Sequence, residues 1–218
     1  MSSSSGSRLR LQIAISVDGY AAGPNQSREN PLGEGGEALH EWALKLAAWR
    51  EPHGREGGEV NASTPVMQES TENIGAVLMG RKMFGGGPGP WGEEPWKGWW
   101  GDEPPFHAPV FVLTHHEREP LEMQGGTTFH FVTDGIEKAL ERAREAAAGR
   151  DVSLAGGANA CQQYLAAGLV DEMALNVAPV LLGGGERLFD GVGVPPRPME
   201  LVGAIDAPDA THLKYRFK

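Results

Sequence analysis

The sequence predicts an α/β fold: a mixed, mainly parallel central sheet flanked by helices, with antiparallel strands at its C-terminal end. Three observations lead there. Short apolar runs recur along the chain, as in strands buried on both faces. Segments of helical spacing lie between these runs, and strands alternating with helices form parallel sheets through right-handed crossovers. The C-terminal stretches instead alternate apolar and polar residues with no convincing helix between the last of them, which predicts antiparallel pairing at the sheet edge.

The first strand is read from Leu9, Leu11, Ile13, Ile15 and Val17, which alternate with Arg10, Gln12, Ala14 and Ser16 and stop at the Asp18-Gly19 turn pair. Leu39, Trp42, Leu46 and Trp49 recur at helical spacing, predicting a helix over 38–49. Residues 52–65 are rich in Gly and Glu without periodicity and read as a mobile insertion, near 50–66, in a single domain over 8–218. Ala76–Met79, Val110–Leu113 and Val152–Ala155 are the buried strands. Asp134-Gly135-Ile136-Glu137 resembles a capping box opening a helix whose buried stripe is Ile136, Leu140, Ala143 and Ala147. A second helix runs from about Asn159 to Ala167 and ends at Gly168, the residue type suited to a helix C-terminus. Met173, Leu175 and Val177 form one late strand; Thr211, Leu213, Tyr215 and Phe217 form another.

Composition excludes several classes. A net charge of −10 argues against generic nucleic-acid binding, which needs a basic face. No apolar run is long enough to cross a bilayer, so no membrane partner is expected. Met1–Ser7 is small and polar, without the apolar core of a signal peptide, and reads as a frayed tail. The single cysteine, Cys161, rules out an intrachain disulfide and, with the missing leader, points to the cytoplasm. His115 and His116 lack a third ligand, so no metal site is expected.

Ligands of open α/β sheets bind beyond the carboxyl ends of the parallel strands. The segments there are Asp18-Gly19-Tyr20, Gly80-Arg81-Lys82, Thr114-His115-His116 and Gly156-Gly157-Ala158-Asn159. The glycine pair opens the backbone to an anion at a helix start, and Arg81 and Lys82 supply cations. A dinucleotide carrying an extra ribose phosphate uses both features. Gly87-Pro88-Gly89-Pro90-Trp91-Gly92 matches the dinucleotide fingerprint only formally, because its prolines spoil the turn and neither a strand nor a helix frames it.

Five ordered motifs carry a resemblance. Ile15-Ser16-Val17-Asp18-Gly19-Tyr20-Ala21-Ala22-Gly23, Val77-Leu78-Met79-Gly80-Arg81-Lys82 and Val112-Leu113-Thr114 resemble the dihydrofolate reductase-like family. Leu154-Ala155-Gly156-Gly157-Ala158 followed by Gly168-Leu169-Val170-Asp171-Glu172, and Ala178–Gly185 leading to Arg187-Leu188-Phe189, resemble its riboflavin-biosynthesis reductase branch. The resemblance implies an NADPH-dependent reductase acting on a small pteridine- or aminopyrimidine-like heterocycle, and a homodimer paired through the sheet edge. By motif matching, Gly80, Arg81 and Lys82 would face the adenosine-side phosphates. Thr114, His115 and His116 would lie near the ribose phosphate, Gly156, Gly157, Ala158 and Asn159 against the pyrophosphate, and Ala14 and Asp18–Tyr20 beside the nicotinamide.

Proton delivery is assigned to water, Glu37, Glu41 or Asp18. The chain departs from the pattern at Met83 and Phe84, where many relatives carry a threonine, and lacks the Leu-Pro-x-Asp-Leu helix of the folate enzyme and the zinc motif of the deaminase half. These departures motivate the alternative of a non-catalytic nucleotide-binding or regulatory protein. Two further features stay open. Asp18 serves either substrate or its own turn, and Trp91, Trp96, Trp99 and Trp100, with Trp42 and Trp49, form either an aromatic lid or a subunit interface.

Overall fold

A computed structural model describes residues 6–92, 96–193 and 195–218; most of the expected N-terminal tail lies outside them. In chain order the elements are β1 (Leu9–Ser16), β2 (Tyr20–Ala22), α1 (Glu41–Leu44), α2 (Ala47–Arg50), α3 (Thr64–Thr71), β3 (Ile74–Gly80), α4 (Arg81–Phe84), β4 (Pro109–Leu113), β5 (Leu121–Glu122), β6 (Thr128–Val132), α5 (Ile136–Ala147), β7 (Asp151–Gly156), α6 (Ala158–Ala167), β8 (Glu172–Ala178), β9 (Glu186–Arg187), β10 (Met199–Ala207) and β11 (Ala210–Phe217).

Nine strands form one sheet in the order β10-β11-β8-β1-β7-β3-β4-β6-β5, and β2 pairs with β9 apart from it. Strands β8, β1, β7, β3, β4 and β6 are parallel, whereas β5, β11 and β10 run antiparallel to their neighbours. The predicted mixed sheet is present, with one adjustment. The strand at Met173–Val177 is not an antiparallel edge: α6 carries the chain across β1, and β8 joins β1 in parallel register.

The two crossovers through α5 and α6 proceed in the same direction along the sheet, so right-handedness sets both helices on one face. There Leu9, Leu11, Leu78, Val152 and Leu154 pack with Leu140 and Ala143 of α5 and Cys161 and Tyr164 of α6. The opposite face receives α1–α4 and the tryptophan-rich segment; Val77, Met79, Val110 and Val112 pack there with Phe84 and Phe129.

Local departures have local causes. The helix expected over 38–49 breaks at Leu46, which is extended, because Glu59 pairs with the backbone there: its N–H donates to the Lys45 carbonyl and its carbonyl accepts from Ala47. Gly36–Leu39 is a 3-10 turn ahead of the break, and α1 and α2 flank the break itself. The capping box at Asp134–Glu137 does not form. Gly135 is the residue at the helix entry, no side chain caps α5, and the Asp134 carboxylate turns to Arg142 at 3.0 Å. The buried stripe of α5 and the Gly168 terminus of α6, in the left-handed region at φ 70°, are as read from the sequence.

At the amino ends of the central strands, Asp151 and Glu172 are buried, and Arg8 reaches both at 2.6 Å. Arg10 approaches Asp151, and Lys214 and Arg216 approach Glu172. The cations hold both carboxyls below their ordinary range against the opposing effect of burial. This network lies at the end of the strands opposite the Gly80-Arg81 and Gly156-Gly157 turns.

Candidate functional site

The strand order reverses around β7, which enters between β1 and β3 after the chain has already built β4 and β6. Such switch points leave a crevice beyond the strand ends. Parallel β3–β7 pairing sets Met79 opposite Gly156, so Gly80-Arg81 and Gly156-Gly157 leave the sheet side by side. A Cβ on Gly80 would come 3.2 Å from the Ala160 side chain and 3.7 Å from the Gly157 nitrogen, so glycine permits the close approach of the two turns. At Gly157 a Cβ would meet nothing within 4 Å: the backbone there faces open space that a side chain would fill. The Gly156–Gly157 peptide is cis. Ala158, buried, begins α6; Asn159 is exposed and accepts a hydrogen bond from Gln163.

Arg81 is the centre of the cationic side. Its Nη1 donates to the Thr114 hydroxyl at 3.2 Å, and its guanidinium lies 3.2 Å from the centroid of the Trp91 ring. Arg118 approaches the same ring at 4.8 Å and Phe131 at 5.0 Å. Among the described residues, the buried Arg81 Nε and Nη2 and Arg118 Nη1 have no hydrogen-bond partner. Burial, and for Arg81 the neighbouring Arg118 charge, pull both guanidiniums below their ordinary pKa. Two like charges sharing one aromatic platform, with unsatisfied donors, form an arrangement that an anion would complete.

Sequence reading missed Arg118. It lies in an irregular stretch between Glu117 and Glu119, and only the fold brings it to Trp91. Lys82, expected beside Arg81, instead carries its ammonium to Glu186 at 2.6 Å and does not join the guanidinium pair. Buried Thr114 also accepts from the His116 N–H, which shapes the loop; His115 is exposed, and the His116 carbonyl accepts from Trp91 Nε1.

The rings of the tryptophan segment are half-buried against the sheet. Trp91, Trp96 and Trp100 pack on the β3–β4–β6 part of the sheet with Phe84 and Phe129, and Trp96 Nε1 donates to the Phe84 carbonyl. Gly85 and Gly98 leave room for Trp99 and Trp100. These rings complete a core that the short α4 alone would leave uncovered; residues 93–95 of the segment lie outside those described.

On the other side of the crevice, Ala14 is buried under Leu39 and against Ala178. Asp18 closes its own turn. Its carboxylate accepts from the Leu182 and Gly183 N–H groups at 3.1 and 2.8 Å, and hydrogen bonds from Ser16 and that backbone lower its pKa to about 2. Both carboxylate oxygens of Asp18 are thus engaged in its own turn. Glu37 and Glu41 are exposed to solvent. The only carboxylates buried among the described residues, Asp151 and Glu172, stand at the amino ends of β7 and β8 and are paired with Arg8. No carboxylate among the described residues is buried beside Ala14.

A family profile described as the RibD C-terminal domain matches residues 7–212. Among curated proteins, an uncharacterized Bacillus subtilis protein, YyaP, is 28% identical over 120 residues, covering 53% of this chain and 60% of its own length. The fold is similar to that of a protein described as a riboflavin biosynthesis protein from Shewanella sp. PV-4, with a TM-score of 0.60, 20% identity, and coverage of 97% of this chain and 99% of that one. It also resembles the Thermotoga maritima diaminohydroxyphosphoribosylaminopyrimidine deaminase/5-amino-6-(5-phosphoribosylamino)uracil reductase, with a TM-score of 0.58 at 16% identity. That match covers 98% of this chain but 57% of the longer protein. At these identities the structural likeness speaks for the fold.

Proposed function

The chain belongs to the RibD C-terminal domain family, and from that premise we propose that it is an NADPH-dependent reductase that transfers a hydride to a pteridine- or aminopyrimidine-like ring. The observation that carries the reading is the pair of guanidiniums on Trp91, with buried N–H groups unanswered among the described residues, at the same strand ends as the glycine pair.

The residues fit the cofactor by charge and by space. Arg81 and Arg118, with Thr114 holding the Arg81 fork, would take the ribose phosphate that distinguishes NADPH from NADH; His115 and His116 border it. Gly156, Gly157, Ala158 and Asn159 would receive the pyrophosphate, where no side chain intrudes and helix α6 begins. Gly80 gives the close approach on the adjacent strand, and Lys82 closes the outer rim through Glu186. Ala14 would border the nicotinamide, with the Asp18–Tyr20 turn beside it.

NADPH, when bound, supplies the hydride: a ring C=N bond of the acceptor becomes C–H and N–H, the proton coming from solvent. The chain itself contributes positioning and exclusion of water. Solvent is named as the proton source because Asp18 is tied to its turn and the buried carboxylates, Asp151 and Glu172, are paired with cations that lower their pKa.

The test is NADPH consumption with a panel of pterins and aminopyrimidines. Turnover of one of them is expected. Tight NADPH binding without turnover of any would replace this reading with that of a non-catalytic nucleotide-binding protein. We also propose a homodimer paired through β10, an edge strand that exposes Met199, Leu201 and Val202. A monomer mass by light scattering would overturn it.

A further inference from the structure

The sheet face that carries Ala14 continues beneath α3 into a cavity of about 330 Å³. In the β1–β8 register Ala14 stands opposite Asn176, and Gln12 is the next residue of β1 on that face. At about 3.3 Å per residue, Gln12 follows Ala14 after roughly 7 Å. The cavity thus adjoins the place proposed for the nicotinamide, and the inference rests on that placement.

Its lining carries three uncharged polar side chains from the central strands. Gln12, Ser153 and Asn176 line it, and the Gln12 amide, the Ser153 hydroxyl and Asn176 Nδ2 make no hydrogen bond to the described residues. Asn176 is only 3% exposed, so its free amide N–H groups face the cavity and not bulk water. A buried relay fixes their direction. The Ser63 hydroxyl donates to His212 Nε2 at 2.8 Å, and His212 Nδ1–H donates to Asn176 Oδ1 at 2.7 Å. The edge of Trp42 packs on the imidazole at 4.8 Å. Burial lowers the His212 pKa, which favours the neutral ring that this pattern of one donor and one acceptor nitrogen uses. Asn176 therefore presents its NH2 to the cavity, with its carbonyl already engaged.

Charge narrows the ligand further. The cations lining the cavity, Arg10 and Lys214, already have partners. Arg10 donates to the Glu69 and Glu72 carbonyls at 2.8 Å, and Lys214 pairs with Glu69 and Glu172. The carboxylates of Glu69 and Glu172 balance these two charges within the lining. A phosphate brought here would lose its hydration and gain no free cation, at a high desolvation cost. The volume, too, lies at the small end of ligand sites, which span roughly 300–1,000 Å³.

We infer that this cavity is the hydride-acceptor site and that it takes an uncharged, planar, amide-bearing heterocycle without a phosphate group, read edge-on by Gln12, Ser153 and Asn176. Ser63 and His212 are positioning residues, acting only through Asn176.

The test titrates the full chain, with and without NADPH, with pterin and with an aminopyrimidine bearing a phosphoribosyl group, following tryptophan emission and heat. Pterin should bind and the phosphorylated compound should bind at least about 10-fold more weakly, reflecting an uncompensated buried charge. Gln12→Leu and Ser153→Ala should each weaken pterin about 5- to 10-fold, the effect of one hydrogen bond to a buried ring, with NADPH affinity unchanged. Ser63→Ala should weaken pterin while Ser63→Thr retains it, a distinction that general loss of packing would not produce. Tighter binding of the phosphorylated compound, or pterin binding indifferent to both Gln12→Leu and Ser153→Ala, would overturn the inference. So would NADPH binding with no uptake of pterin. Pterin uptake without any NADPH binding would instead defeat the reductase reading and leave the heterocycle site standing.

Discussion

Replacing Arg118 by methionine separates cofactor recognition from folding, because the two effects carry opposite signs. Arg81 and Arg118 lie 3.2 and 4.8 Å from the same Trp91 centroid, so their charges are within 8.0 Å of each other. At that separation two unit charges repel by about 0.5 kcal/mol in water and about 2 kcal/mol at an effective dielectric near 20. Without ligand, Arg118→Met removes this repulsion and a buried unpaired N–H while the methionine keeps the apolar contact with Trp91 and Phe131. The free protein should melt no lower than the parent. With NADPH the sign reverses. One guanidinium–phosphate hydrogen bond contributes about 1.5–3 kcal/mol, so the Kd for NADPH should rise roughly 10- to 150-fold. NADH has no such phosphate and should change little. Fluorescence titration with both dinucleotides, alongside thermal unfolding of the free protein, reads both effects. Equal losses for NADPH and NADH, or a clear fall in the melting temperature of the free protein, would refute the assignment of Arg118 to the ribose phosphate.

Three further outcomes follow from the same geometry. Gly157→Val places a side chain in open space and should preserve the thermal transition while strongly weakening NADPH; unchanged affinity would remove the glycine pair from the pyrophosphate site. Asp18→Asn frees the Leu182–Gly183 backbone from a carboxylate that titrates at about 2, so it should raise the KM for NADPH without moving the pH profile of turnover; a displaced profile would restore Asp18 as the proton source. Asp151 and Glu172 have lowered pKa values, so their stabilisation is fully present above the unfolded carboxylate range, near pH 4, and is lost as pH falls through their folded values. Asp151→Asn should cost stability at neutral pH toward the lower end of roughly 3–5 kcal/mol, since Arg8 is 47% exposed, and should flatten the acid decline; an unchanged acid profile would mean the pair does not govern it.

Much of the scaffold was legible because burial on both faces leaves a strong signature: β1, β3, β4 and β7 were read from alternation or apolar runs, and the convergence of Arg81 with Gly156-Gly157 followed from where those strands end. β6 escaped notice, since Thr128–Val132 is short and its Phe129 and Phe131 alternate with only two polar residues, Thr128 and His130. Arg118 was invisible because its partner is a tryptophan distant in sequence, brought close by tertiary packing alone. The cavity floor was hidden for a different reason. Gln12 and His212 occupy the polar positions of alternating strands, a pattern that normally marks a solvated face. Here α3 covers that face, turning an apparently outward row into the lining of a pocket. Lys82 shows the converse: adjacency to Arg81 in sequence did not predict adjacency in charge, because Glu186 on β9 offered a closer partner.

The most direct measurement is a crystal structure of the protein with NADPH. The account predicts the ribose phosphate against Arg81 and Arg118, the pyrophosphate at Gly156-Gly157, and the nicotinamide over Ala14. A dinucleotide bound elsewhere, or one whose ribose phosphate lies in solvent away from both guanidiniums, would contradict it.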